Sequence, residues 1–498
     1  MTSPDSDQAR RTGARERGAA ARRRLDTTPA RVWLLTTVCA VAIAGLFGSA
    51  ALTLGQARDG LDVLGRDGPQ AEATTELYLA LADMDARVAD MLLMGTAHDL
   101  GSGREEVQKQ YEASRTQAGK ALLQVASLIE GDYVEKCKDV EECNVRAVLA
   151  GMGAYEEWAA EALLLNDEAQ APPGRVDREA LETYLRATRL MHTELLPKAF
   201  NLGLDSSASV RANHEERQEA VTIGLLWVGA AGAVTVAALV GLQMYLRARF
   251  RRRFNASLTA ATAGAVLLTA GVVLALVTSN GHQHDAKEEG LDAAMSLSRA
   301  GAITTDMQVY ESRYLVDPAN ADNYQQVYLG WAQQVLSRPA NNLEAYYEAV
   351  DEVAASYPDL PGPDRPDPDD PDPGTLGYLG RSAQEALLPG QGDALAEVLG
   401  SYNDLQGEDR ALRSAAGSGD LAGALDIRMR VAHIEDGTFR TYETALDELI
   451  GLHMDAFEEG IERGDAVLAP WTWTLPVGTL LLLVLVVLGV RPRLAEYR

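Results

Sequence analysis

Three groups of side chains in this 498-residue chain have the types and spacing to do chemistry. Cys137 and Cys143, in KCKDVEEC, are near enough to close a disulfide, a bond that belongs to an oxidising compartment. Closing so small a loop adds only about 2 kcal/mol. A redox or metal-binding pair would need closer spacing or more ligands. His282, His284 and Asp285, in NGHQHDAK, could share a metal ion, but they lack the further partner that a closed site takes, and no metal is expected. Arg247, Arg249, Arg251, Arg252 and Arg253, in RARFRRR, form the densest positive cluster of a chain whose formal charge is -27. Interleaved with Phe250 and followed by Phe254, they suit an acidic partner or an anionic lipid surface.

Beyond these groups the chemistry is sparse. GSG at 101 and GMG at 151 lack the lysine and the strand-loop-helix setting of a phosphate loop, and neither GxSxG nor HExxH occurs. We therefore expect no catalytic residue, no cofactor and no enzyme. His192 and His453 lie in long helical patterns and read as seam or surface histidines. Thr27 and Thr28, in RRRLDTTPA, are minor candidates for phosphorylation. PDLPGPDRPDPDDPDPG, residues 358–374, has seven prolines and six aspartates, so it reads as an extended exposed loop. It lacks the ligand spacing of a calcium loop.

The elements that carry these groups follow from where charge is missing. No charged residue stands between Arg31 and Arg58, Glu219 and Arg247, Arg253 and Asp285, or Asp465 and Arg491. Each gap exceeds the roughly 20 apolar residues that cross a bilayer as a helix. We read transmembrane helices at 32–56, 220–246, 255–280 and 469–490. The first is too long for the apolar core of a signal peptide.

Charge also orients the spans. The short pieces 1–31, 247–253 and 491–498 hold 16 basic against 5 acidic residues, whereas everything else holds 29 against 67. Basic loops stay in the cytoplasm, so both termini and the arginine hairpin 247–254 are placed inside, and segments 57–219 and 281–468 outside. Trp33 and Tyr245 at inner ends, with Trp471 and Trp473 at an outer end, suit headgroup belts. Arginine outnumbers lysine 39 to 6 in an alanine- and glycine-rich chain, the bias of a GC-rich bacterial genome. The location is a bacterial cell membrane, with membrane lipid as one partner and no nucleic acid.

The order span, outer segment, span occurs twice, and internal repetition governs the fold. In ELYLALADMDARVADMLL the residues Leu77, Leu81, Met84, Val88 and Met91 recur at helical spacing, as Ile303, Met307, Tyr310 and Tyr314 do in ITTDMQVYESRYL. Further patterns in each segment predict bundles of about four helices. The fold class is thus an all-α membrane protein with four transmembrane helices and two extracytoplasmic helical bundles, repeated as span, bundle, span. Asp83-Met84 and Asp306-Met307 hold similar places in the two halves. Ala44 with Gly48, Gly229 with Ala233 and Ala260 with Gly264 have the spacing of close helix contacts, and the large aliphatics of the fourth span suggest that it faces lipid.

No span carries an ionisable residue of the kind that marks an ion or proton path, which disfavours a pump. The cytoplasmic pieces are too short for a kinase or cyclase domain, so a signal from outside would pass to a separate protein. ELYLALADMDARVADMLL resembles chemoreceptor four-helix sensor domains. The four-pass arrangement, with DMQVYESRYLVDP after the third span, is similar to the GlnX-type membrane signalling proteins. That resemblance implies an extracytoplasmic amino-acid-binding lipoprotein outside, a protein kinase G-type Ser/Thr kinase inside, and a role in nitrogen and amino-acid metabolism. A homodimer stays open. Two alternatives remain: a mechanotransmitting subunit of an ATP-driven export or wall-remodelling complex, and a bundle that senses a small ligand directly.

Overall fold

The computed structural model describes the backbone of residues 28–97, 100, 103–128, 140–250, 255–357, 377–384, 388–433 and 437–495. Among these residues there is no strand. The helices are α1 (Thr28–Met94), α2 (Arg104–Leu128), α3 (Val140–Glu168), α4 (Arg178–Leu190) and α5 (Leu196–Phe250) in the first half. The second half has α6 (Ala256–Asp285), α7 (Ala293–Val316), α8 (Ala321–Val335), α9 (Leu343–Ser356), α10 (Gly377–Gln384), α11 (Gln391–Gly417), α12 (Leu421–His433), α13 (Thr438–Leu468) and α14 (Trp471–Ala495). Single π-helical segments, Met191–Leu195 and Ala286–Asp292, join α4 to α5 and α6 to α7.

The chain falls into two compact units. The first draws on Met1–Val63, Asn213–His284 and Gly460–Arg498, and the second on Leu64–Ala212 and Asp285–Glu459. The unit boundaries fall within helical backbone at all four crossings: inside α1, α5 and α13, and at the junction of α6 with its π-helical extension. The expected Pro/Asp loop at 358–374 lies outside the described residues.

The first unit contains four helices long and apolar enough to cross a membrane, within Arg31–Gly65, Arg217–Ala248, Ala256–Val316 and Thr438–Pro492. All four spans share a packed interior, including Ile43, Leu239, Leu258 and Val486 in one cluster and Leu54, Val228, Leu276 and Leu475 in another. Leu52, Leu226, Leu267 and Leu480 point outward, as lipid-facing side chains do, and so do the rings of Trp33 and Trp473. The fourth span is not wholly on the lipid side: Leu482, Val486 and Val490 are buried, while Leu481, Val484 and Leu488 are exposed. Alternating along one helix, these two sets give it one packed face and one lipid face.

Polar clasps tie the spans together, which counts in a medium that offers no water to a freed backbone group. Thr235 Oγ1 donates to the Ala42 carbonyl at 3.0 Å, Gln243 Nε2 to the Leu258 carbonyl at 2.8 Å, and Asn255 Nδ2 to the Gly489 carbonyl at 2.8 Å. The close approaches are not all where small-residue spacing placed them. Gly48 and Gly229 have open space where a Cβ would stand, and Gly264 meets only a Leu482 methyl. Gly232 and Gly224 are among the tight sites, pressed against Thr269 and Thr53. Leucine at Gly232 should therefore overpack the unit and cost about 1–3 kcal/mol, read as a lower unfolding temperature of the purified chain in detergent. Gly229→Leu should leave that temperature unchanged; equal effects of the two would refute the assigned packing.

In the second unit the two halves keep partly separate cores. Leu77, Leu81, Met84, Val88, Tyr155 and Tyr184 centre the first, and Ile303, Met307, Tyr346, Val398, Tyr402 and Leu449 the second. The first core also takes in Leu315, Val316, Leu412, Leu425 and Met429 from the second half, so the expected pair of bundles forms a single compact body. The second half is no plain copy of the first. Its helices α9 and α12 go beyond the expected pattern. Helix α9 starts where Asn342 Oδ1 accepts from the Ala345 amide at 2.9 Å, and it buries Leu343, Tyr346, Tyr347, Val350 and Val353.

A candidate ligand pocket beside a buried charge network

Helix α7 is buried on every side: all eight residues from Ala302 to Val309 are buried. A helix surrounded in this way is usually apolar all round. This one carries Asp306, Gln308, Glu311, Ser312 and Arg313, all buried, so its neighbours must satisfy them. Most of that partnership comes from α1, where Asp85 and Asp90 are themselves fully buried.

Two charge clusters join the halves. Asp85 Oδ2 accepts from Arg313 Nη2 at 2.9 Å and from Thr188 Oγ1 at 2.6 Å, and lies 3.2 Å from His192 Nε2. Its other oxygen accepts from the Tyr155 hydroxyl at 3.1 Å. Burial raises the proton affinity of Asp85, but the Arg313 guanidinium, His192 and Thr188 outweigh it and hold the carboxyl below its ordinary value. Further along, Arg428 on α12 grips both Asp90 oxygens at 3.0 Å and reaches Glu311 at 3.2 Å, while Ser312 Oγ donates to Asp90 at 2.6 Å. Arg428 Nη1 also donates to Gln308. A third pair, Arg413 with Asp409 at 2.9 Å, lies in the second half, its guanidinium 4.7 Å from the centres of both the Tyr314 and Tyr328 rings.

Next to the first cluster lies a cavity of about 440 Å³. Its wall combines Tyr78 from α1, His192 from the π-helical segment, Leu196 and Phe200 from α5, Asp306 and Tyr310 from α7, Trp331 from α8 and Tyr378 from α10. Single π-helical turns are often found at functional sites. Here the turn carries the histidine that touches both the cavity and Asp85. The Tyr78 hydroxyl donates to Asp306 Oδ2, whereas Asp306 Oδ1 is buried without a hydrogen-bond partner. Burial pushes the Asp306 carboxyl above its ordinary value, against His192, the Tyr78 hydrogen bond and Arg313.

The residues singled out from the sequence fare unequally. Cys137, Arg251, Arg252 and Arg253 lie outside the described residues, as do the side chains of Cys143 and Arg249, so the disulfide and most of the arginine patch have no structural description. Arg247 is described and exposed. Among the described residues no three His, Cys, Asp or Glu side chains gather as a metal site, His282, His284 and Asp285 included. His453 is a buried seam histidine, its Nδ1 2.5 Å from the Glu289 carbonyl. His192, which reads from the sequence as a seam or surface histidine, belongs to the charge cluster. The network and cavity residues were missed, although a trace of them is visible. Asp85 stands four residues after Leu81 and three before Val88, inside the apolar stripe, and Asp306 stands three after Ile303 and four before Tyr310.

The fold and site define a class: an all-helical membrane protein whose helical unit is held by buried ion pairs and contains a small-molecule-sized pocket. Residues 61–215 match a family model described as an actinobacterial sensor domain, which points to a role in sensing or signalling. The matched stretch is nearly the first-half contribution to the second unit, Leu64–Ala212. No curated protein and no solved structure matches the chain.

Removing one partner of a buried ion pair strands the other, at about 3–5 kcal/mol. Arg428→Ala should therefore lower stability by that amount in thermal or denaturant unfolding, and Arg428→Met combined with Asp90→Leu should recover much of it. Glu311 adds a pH signature. Burial, reinforced by Asp409 and opposed by Arg428 and Arg413, lifts its carboxyl from 4.5 to about 8. Between those values the unfolded chain releases a proton that the folded chain keeps, so this group makes stability fall as pH rises. Glu311→Gln should flatten the decline; an unchanged slope of unfolding free energy against pH would remove Glu311 as its source.

Proposed function

We propose that the chain is a non-enzymatic signal relay of a bacterial cell membrane. One observation carries the reading: every passage between the membrane-type unit and the helical unit is made by helical backbone. A helix transmits a small slide or rotation along its length, and packed helices with two discrete arrangements convert such a shift into two states. The sensor-domain match over 61–215 supports an input role for the helical unit. A stimulus must favour one arrangement over the other by its own differential binding, or no signal passes.

In this reading the helical unit faces outward and the arginine hairpin, with both termini, faces the cytoplasm, as the distribution of basic residues favours. The resemblance of DMQVYESRYLVDP and the four-pass order to GlnX-type proteins supports a solute-binding lipoprotein as the outer partner and a Ser/Thr kinase as the inner one, in control of nitrogen and amino-acid metabolism. Arg247 and its neighbours in RARFRRR are the proposed contact for the kinase or for anionic lipid. Cys137 and Cys143 would be cross-linked in the oxidising exterior.

Chemical cross-linking in intact membranes followed by purification of the tagged full chain tests the partners. A Ser/Thr kinase and an extracytoplasmic lipoprotein should co-purify; a transport ATPase in their place would instead establish the mechanotransmitter alternative. External protease on cells stripped of their wall should cut within the helical unit, and protection of that unit would reverse the orientation.

A further inference from the structure

We propose that the cavity beside Asp85 binds a small organic ammonium compound, an amine on an apolar or aromatic body, with its ammonium on Oδ1 of Asp306. The inference deepens the sensory reading and depends on it only for the meaning of occupancy.

The argument starts from an unmet demand in the cavity wall. Asp306 is 1% exposed, and its Oδ2 already accepts from Tyr78. Its Oδ1 faces no donor. A buried carboxylate oxygen left so is costly, and the backbone cannot turn it to solvent because α7 is enclosed on every side here. Nearby cations are engaged elsewhere: Arg313 and His192 are held by Asp85. The empty position at Oδ1 of Asp306 is that of a donor.

Charge and shape narrow the donor to an ammonium on a hydrophobic body. Tyr78, Tyr310, Trp331 and Tyr378 surround the cavity with aromatic rings, and a cation near a ring face gains from the ring quadrupole. Phe200, Leu196 and Ile303 supply apolar wall for the rest of the molecule. A volume of about 440 Å³ lies within the range of small-molecule sites, which combine apolar walls with a few placed polar groups. An anionic ligand would bring its charge against Asp306.

The full chain, purified in detergent, should give saturable heats in titration calorimetry with at least one of phenethylamine, tyramine and trimethylphenylammonium. The neutral 2-phenylethanol and the anionic 3-phenylpropionate should bind at least about tenfold more weakly, or not measurably. Asp306→Asn, which keeps shape and removes charge, should weaken amine binding by about tenfold or more. Ala302→Phe, which fills the cavity and keeps the Asp306 carboxylate, should abolish it. Circular dichroism and unfolding temperature identify a variant that fails to fold, and either variant in folded form suffices. No binding by any of the three amines, equal binding of the propionate, or parent-like binding by a folded variant overturns the proposal. Partner capture is read separately, so this failure would leave the relay reading standing.

Discussion

The helical unit depends on carboxylates of α1 finding guanidinium groups contributed by the second half. Asp85 with Arg313, and Asp90 with Arg428, are buried with almost no solvent contact. Removing a charge from water costs several kcal/mol per ion, and only close, multiply hydrogen-bonded geometry offsets it. Every group near the two aspartates serves that end: Thr188, Tyr155 and Ser312 occupy lone pairs that the arginines leave open. Apolar packing alone would hold α1 against α7 in several registers, since leucine and methionine contacts are tolerant of sliding. The ion pairs select one.

That selection gives the sensory reading a physical basis. The cavity wall and the Asp85 cluster share His192, and Asp306, in the cavity wall, is on the same buried helix as Arg313. A molecule bound in the cavity would lie against His192 and Asp306, beside the groups that set the register between halves. The helices so positioned continue as the backbone of the membrane-type unit. The spans hold one another through carbonyl-directed bonds from Thr235, Gln243 and Asn255, which resist separation more than they resist small rotations.

The membrane helices were legible because an uncharged run longer than twenty residues has few other uses, and the outer helices because apolar residues recurred at spacings of three and four. Helix α9 could have been found from its asparagine cap and tyrosine spacing. Helix α12 is shorter, follows the glycine-containing GSGD at 417–420, and contributes its most consequential residue, Arg428, as an apparent surface charge. Spacing within one element cannot reveal a counter-ion that lies in another part of the chain. The small-residue pairs misled for a related reason: in an alanine- and glycine-rich span the face that meets a neighbour is set by the partner's shape, so Gly232 is pressed where Gly229 is open.

Sequence distance gives the ion pairs one more meaning. Arg313 comes 228 residues after Asp85, and Arg428 comes 338 after Asp90. As the ribosome emits the chain, the first half waits with two acidic groups destined for a dry interior and their guanidinium partners not yet synthesised. Its final packing must follow the appearance of the second half, so residues 61–215, the stretch that matches the sensor-domain model, would not complete their packing alone. Excised on its own, it would keep those aspartates hydrated or protonated and stay loosely assembled around them.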